Sequence, residues 1–492
     1  MHAQIRRVGV LLIVLMLLVF ANLNYVQIFA AEGIAENPAN YRALLAEAAI
    51  KRGTIVTADG VTLARSVETN QDLKYRRVYP EGELYGPITG YYNLINGTRA
   101  GIENAYNEQL LGDTGVLTMQ DFEDRFLESG AQGDDVQLTI DSRLQELASS
   151  SLGQQNGAVI ALDPNSGDVR AMWGFPSYDP NPLSSYNKKE ALDYRATLEP
   201  RAPDSPLIGK VARRLYPPGS TFKVITTAAA LESGDYQPDS TFDDPDSIGL
   251  PLTDQRLTNF TKTSCQGGGQ IDLFTALEIS CDTTFALIGL QIPGELKATA
   301  EDFGFNSPIP FDLTTDTSTF PDIPDDEEPL RAYAGIGQGD VAATPLQMAL
   351  VAAAVANGGQ VPRPRIVKEV IDPRGGVVER YSPETIGRVM TSEHAEDVKD
   401  MMVAVVQSAS GTGTAAQIPG VEVAGKTGTA QSAEGAAPHA WFISFAPAND
   451  PQIAVAILVE NGGSVGSEAT GGAIAAPIAK AIIERDRELR GW

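Results

Sequence analysis

Hydrophobic and polar positions along this chain fall into three regimes. The first is a single continuous run. Val8 to Ala21 carries no polar side chain, and apolar character continues weakly to Phe29, interrupted by Asn22, Asn24 and Gln27. As a helix this run spans about 33 Å, the thickness of a bilayer core. Arg6 and Arg7 precede it and orient the N-terminus inward and the remainder outward. The rival reading is a cleaved signal peptide. Cleavage near Ala30 or Ala31 places bulky Ile28 or Phe29 at the position that prefers a small residue, so the run reads as an uncleaved anchor. No second long apolar run follows, which predicts a single-pass protein.

The second regime is short-period alternation. Asn37 to Ile50 has helical character, and Arg52 to Ala64 reads as two short strands around an Ala58-Asp59-Gly60 turn. A Gly- and acid-rich linker, Ser129 to Asp135, precedes a strand from Val136 that leads into a helix. Gly157 to Ala171 reads as a hairpin turning at Asp163-Pro164-Asn165-Ser166-Gly167-Asp168. The third regime, Asn187 to about Ser410, reads as helix and loop. Within it Ala342–Asn357 is an Ala-rich buried helix, and acidic, Pro/Thr-rich Asp312–Pro329 is an exposed loop. Strands then return at Val421–Thr429, Ala440–Ala446 and Gln452–Glu460, and a last helix runs from Ala475 to Leu489. Two strands, a long insert, three strands and a helix predict an α+β fold: an antiparallel five-stranded sheet flanked by helices.

Composition narrows the chemistry. With 492 residues, 43% of them hydrophobic, the chain can build two or three cored domains. Its net charge of −26 argues against nucleic acid or anionic lipid as a binding surface. Three histidines and two cysteines leave little for a His- or Cys-based metal site.

One stretch carries nucleophile chemistry. Tyr216-Pro217-Pro218-Gly219 breaks the preceding element, and helix-compatible residues run from Thr221 to Leu231. Ser220 therefore starts a helix with Lys223 three residues on, on the same face. A desolvated lysine can deprotonate a serine, and a helix start supplies N–H groups to an oxyanion. Ser-x-x-Lys is a short pattern. Ser185-Tyr186-Asn187-Lys188 repeats it in a polar loop. Two further short signals follow in order: Ser280-Cys281-Asp282, at the end of an apolar helical stretch, and Lys426-Thr427-Gly428, on a strand.

In this order the three signals resemble the SxxK, SxN and KTG motifs of penicillin-binding proteins. Arg52-Gly53, Asp59-Gly60 and Gly101-Ile102-Glu103 resemble the N-terminal module of class B members, of the PbpA type. The likeness runs from about Arg52 to the C-terminus. It implies a β-lactamase/transpeptidase-like fold divided into residues 1–31 (cytoplasmic stub and transmembrane anchor), 32–134 (non-catalytic pedestal or interaction module) and 135–492 (penicillin-binding domain). It implies a peptidoglycan D,D-transpeptidase, acylated by β-lactams and working on stem peptides without a cofactor. It also implies a SEDS-type glycan polymerase as membrane partner and the cell membrane as location.

The resemblance further implies roles. Ser220 attacks the penultimate D-Ala carbonyl and Lys223 takes its proton. Ser280 relays a proton to the leaving amine. Lys426 supplies positive charge and lowers the Lys223 pKa. Thr427, Gly428 and Thr429 line the place of the substrate carboxylate, with the Ser220 and Thr429 N–H groups as oxyanion hole. Asp282 stands where the family has Asn. It contacts substrate or Lys223, or is protonated, or is a plain helix-face acid. A D,D-carboxypeptidase, a muropeptide sensor or scaffold on the same fold, and a β-lactamase are the alternatives. A sensor needs an output domain, and about seven residues precede the apolar run. No deacylating Glu motif follows Ser220.

Two other patterns are decoys. Gly420–Thr427 matches a phosphate-binding loop, but Val421 and Val423 alternate as in a strand and too few residues follow for that fold. Gly462–Gly466 matches a hydrolase elbow, but no histidine follows Ser464. His439 reads as a strand-edge residue. Cys265 and Cys281, both outside the cytoplasm, are predicted to form a disulfide closing a short loop; two buried free thiols are the alternative.

Overall fold

The computed structural model describes residues 2–26, 47–70, 73–112, 132–431 and 435–492. The expected helix from Asn37 as far as residue 46, the apolar run beyond Val26, and linker residues 129–131 lie outside them. Helix α1 (His2–Tyr25) contains a stretch, Arg6–Tyr25, long and apolar enough to cross a membrane.

Two sheets organise the rest. In chain order their strands are β1 (Ile55–Val56), β2 (Thr62–Glu68), β3 (Tyr75–Val78), β4 (Asp135–Leu138), β5 (Gly157–Leu162), β6 (Val169–Phe175), β7 (Val367–Ile371), β8 (Val377–Arg380), β9 (Ala424–Ala430), β10 (His439–Ala446) and β11 (Ile453–Val459). The first sheet has the order β8-β7-β4-β1-β2-β3, so it joins strands from distant parts of the chain. The second, β9-β10-β11-β5-β6, is antiparallel throughout.

Every residue of β5, β10 and β11 is buried, and β5 and β11 read as unbroken apolar runs rather than alternating ones. Their residues divide between two cores with period two. Val159, Ala161, Val455 and Ile457 face helices α2 (Ser142–Leu152) and α7 (Ala476–Arg490), packing with Leu144, Ala148, Ile482 and Ile483. Ala158, Ile160, Ala456 and Leu458 join the core that holds α3 (Lys223–Ser233), α5 (Asp282–Gln291) and α6 (Pro345–Ala356). The helix starts follow capping rules: Asp141 accepts from Arg143 N, and Thr344 accepts from Gln347 N with Pro345 next.

Three local expectations change. Residues 187–410 are not only helix and loop. They hold short strand pairs, among them Ser247–Gly249 with Arg256–Thr258 and the β7–β8 hairpin around Asp372-Pro373-Arg374-Gly375-Gly376. Most of these strands are three to five residues long, too short for a periodic signal. Asp312–Pro329 is not simply exposed. Ser318 and Phe320 are buried, Phe320 stacks on Phe222, and the Asp312 carboxylate accepts from Tyr106 OH and the N–H groups of Ile366 and Val367. Ser280 does not end one helix. It occupies the turn between α4 (Leu273–Glu278) and α5, at φ +63°.

In the N-terminal part, Glu103 is fully buried between two guanidiniums, Arg52 at 2.6 Å and Arg77 at 2.5 Å, with Tyr79 OH at 3.2 Å. Burial pushes its carboxyl pKa up, but the two arginines outweigh that and hold it below the usual range. The Arg52-Gly53 and Gly101-Ile102-Glu103 signals thus form one structural ion cluster.

Candidate active site

Ser220 lies in a 3-10 turn, Gly219–Phe222, that runs directly into α3. Gly219 has φ +53°, and a Cβ there would sit 2.9 Å from Thr429 O, so only glycine lets the turn lie against β9. Gly428 is required for closeness too: its Cβ would meet Thr221 Cγ2 at 2.9 Å and Trp441 Cβ at 3.0 Å. Trp441 Nε1 donates to Pro217 O at 3.0 Å, fixing the turn to β10.

Four of the expected side chains converge. Lys223 Nζ, fully buried, donates to Asp282 Oδ1 at 2.7 Å and to Ser280 O at 2.8 Å, and lies 3.3 Å from Ser280 Oγ. Lys426 Nζ, also fully buried, reaches Ser280 Oγ at 2.8 Å and Thr427 O at 3.0 Å. Ser280 Oγ therefore bridges two amines. Ser220 Oγ makes no hydrogen bond to another described residue, and Ser220 lines an open cleft of about 1220 Å³.

Burial lowers the Lys223 pKa from the ordinary lysine value, and the Asp282 carboxylate pulls it back up. Lys426 is pushed well below that value, first by burial and then by the Lys223 charge, with Asp282 opposing. The counter-ion stands beside Lys223 and not Lys426.

Asp282 also accepts from Phe260 N on its second oxygen, at 3.1 Å. Both its oxygens are thus acceptors, one for an ammonium and one for a backbone N–H. An amide, with one acceptor and one donor group, cannot serve both. Thr429 is half-buried on the cleft wall. The Thr427 hydroxyl is 2.6 Å from that of Thr412. Cys265 and Cys281 form a disulfide with Cα atoms 5.7 Å apart.

The decoys separate cleanly. Ser185 Oγ donates to Glu190, and Asn187 caps the next helix, with Lys188 exposed. Ser464 lies on an exposed turn. His439 starts β10, buried, with Nδ1 accepting from Asn461 N. Sequence reasoning missed Asn259, whose Oδ1 accepts from Thr283 N, as well as Phe260 and Thr412. Asn259 and Phe260 stand in a polar stretch with no periodic or motif signal. Thr412, in the Ser410-Gly411-Thr412-Gly413 loop ahead of β9, had a weak one.

With this geometry in view, two family models match the chain: "Penicillin binding protein transpeptidase domain" over residues 157–484 and "Penicillin binding protein A dimerisation domain" over residues 52–136. The peptidoglycan D,D-transpeptidase PbpA of Mycolicibacterium smegmatis is 40% identical over 98% of both chains. That of Mycobacterium tuberculosis is 38% identical over 98% of this chain and 99% of its own. Among solved structures, the ceftriaxone acyl-enzyme of penicillin-binding protein A from M. tuberculosis superposes with TM-score 0.84 at 37% identity, covering 89% of this chain and 99% of that one. The penicillin G acyl-enzyme gives 0.81 at 37% identity, with the same coverage.

Proposed function

Since this chain belongs to the penicillin-binding protein transpeptidase family, we propose that it is a peptidoglycan D,D-transpeptidase that cross-links stem peptides through an acyl-enzyme on Ser220 and is acylated by β-lactams at the same atom. The observation that carries the residue assignment is the Lys223–Ser280–Lys426 chain, with Ser280 Oγ between two buried amines and Ser220 at the mouth of the cleft.

Burial disfavours the charged form of both lysines, and the Asp282 carboxylate steadies the proton on Lys223. A proton passes from Lys223 Nζ to Ser280 Oγ while Ser280 gives its own to Lys426 Nζ, along contacts of 3.3 and 2.8 Å. Lys223 is then neutral and takes the Ser220 proton as Ser220 attacks the penultimate D-Ala carbonyl. Lys426, now charged, faces the terminal carboxylate beside Thr427 and Thr429, with Gly428 leaving room. The Ser220 and Thr429 N–H groups receive the oxyanion. Return of a proton through Ser280 releases D-Ala, and an amine from a second stem peptide resolves the ester. The apolar helix ahead of these domains, with Arg6 and Arg7 at its start, supports a single-pass anchor in the cell membrane with the catalytic domain outside. A membrane-embedded glycan polymerase of the SEDS type suits that placement as partner.

The test is labelling with a tagged penicillin followed by mass mapping. The adduct is expected on Ser220 and absent in Ser220→Ala. A stable adduct in that variant, or one on Ser185, overturns the assignment.

A further inference from the structure

The stretch 256–262 forms one wall of the cleft that Ser220 opens into. It is fixed to the second catalytic motif at three points: Phe260 N on Asp282 Oδ2, Asn259 Oδ1 under Thr283 N, and, just beyond it, the Cys265–Cys281 disulfide. A surface loop held this firmly against catalytic side chains keeps its own exposed groups at a fixed place relative to Ser220. Those groups are an aromatic ring, Phe260, 69% exposed, and two cations, Arg256 and Lys262.

In a chain of net charge −26, these are the cations among the described residues lining the cleft. Neither forms an ion pair with a described residue. Arg256 is steadied by Ser247, at 3.0 Å from Nε to Oγ and 2.8 Å from Nη2 to O. Lys262 has no side-chain partner among the described residues. The acids lining the cleft do not neutralise them: Asp282 is engaged by Lys223 and Phe260 N, and Asp340 lies on the 330–342 wall.

Building on the transpeptidase reading, we propose that Arg256 and Lys262, with Phe260 between them, form an anion-reading subsite for a carboxylate on a stem peptide other than the terminal one taken by the Lys426–Thr429 strand. The ring supplies an apolar floor, and the two cations select a peptide carrying a free side carboxylate over its carboxamide. Donor and acceptor strands share this chemistry, and the experiment separates them.

Wild type, R256A/K262A and R256K/K262R are labelled with tagged benzylpenicillin in the presence of synthetic peptides. Each peptide is made as a free side carboxylate and as the carboxamide, in a donor series ending in D-Ala-D-Ala and an acceptor series bearing a free side-chain amine. The concentration that halves the labelling rate is read. Two exposed charge contacts predict that wild type favours the carboxylate form by about five- to tenfold in one series. R256A/K262A loses that preference while its labelling rate without peptide stays within about twofold of wild type, and R256K/K262R keeps the preference. Equal affinity for both forms in wild type, in both series, overturns the subsite. So does a labelling rate in R256A/K262A that falls in step with peptide affinity, because the wall then only holds Asp282. Failure of wild type to label at Ser220 is a different result and strikes the transpeptidase reading itself.

Discussion

Replacing Asp282 with Asn tests the electrostatics of the site directly. The carboxylate accepts from Lys223 Nζ at 2.7 Å and from Phe260 N at 3.1 Å, and the Lys223 side chain is fully buried. Burial alone lowers the lysine pKa, and the carboxylate opposes it. Taking away the negative charge leaves burial unopposed, so the pKa drops further. The neutral base then exists at lower pH, and the rising limb of the pH–acylation profile moves toward acid by the same amount. A second effect comes from the amide itself. With its oxygen toward Lys223, its NH2 meets the Phe260 N–H, donor against donor; turned round, the NH2 meets the amine. Either way one hydrogen bond is lost, at about 0.5–1.5 kcal/mol if it is that of the exposed Phe260 N–H and about 1.5–3 kcal/mol if it is that of the buried Lys223 amine. Stability carries its own sign. A lysine whose folded pKa lies below its unfolded value destabilises the fold while protonated, and stability rises with pH from the folded pKa toward 10.5. The variant should therefore lose more melting temperature at pH 6 than at pH 9. The assay is the second-order rate of benzylpenicillin acylation from pH 5 to 10, with melting curves at both ends. A limb that stays in place, or moves toward alkali, refutes the view that Asp282 holds the proton on Lys223.

Two other outcomes follow from the same geometry. Lys223→Arg should abolish acylation, because a guanidinium keeps its proton at any workable pH; near-normal labelling of this variant would remove Lys223 from the base role. Reducing the Cys265–Cys281 bond frees a short loop, worth about 3 kcal/mol in the chain-entropy model, and should slow acylation by loosening Ser280 before the domain unfolds. Unchanged acylation after verified reduction would detach the bond from catalysis.

Much of this was legible in the sequence because the informative signals are local. The 157–171 hairpin, the last three strands and the α6 helix are long or carry distinct turn residues, and all are present. The three motifs are short, but their order narrows the reading. What escaped is set by tertiary contacts. The turn between α4 and α5 depends on Ser280 adopting φ +63°, which no propensity favours. The pairing of β7 with β4, more than two hundred residues apart, leaves no trace in either segment. That Asp282 stands beside Lys223 and not Lys426 is a distance and not a pattern.

That long-range pairing has a mechanical consequence. β4 lies between β1, which it joins in parallel, and β7, which it joins in antiparallel fashion. Just beyond β4, Thr139 N donates to Ile366 O and its hydroxyl to Val169 O, the first residue of β6 in the other sheet. Arg365 is ion-paired to Asp168 at the same place. A pull arriving at β1 is thus shared among rows of backbone hydrogen bonds lying across it. Rows loaded side by side yield together, whereas a hairpin opened from its end yields one bond at a time. The two sheets will then move as one stiff body under load.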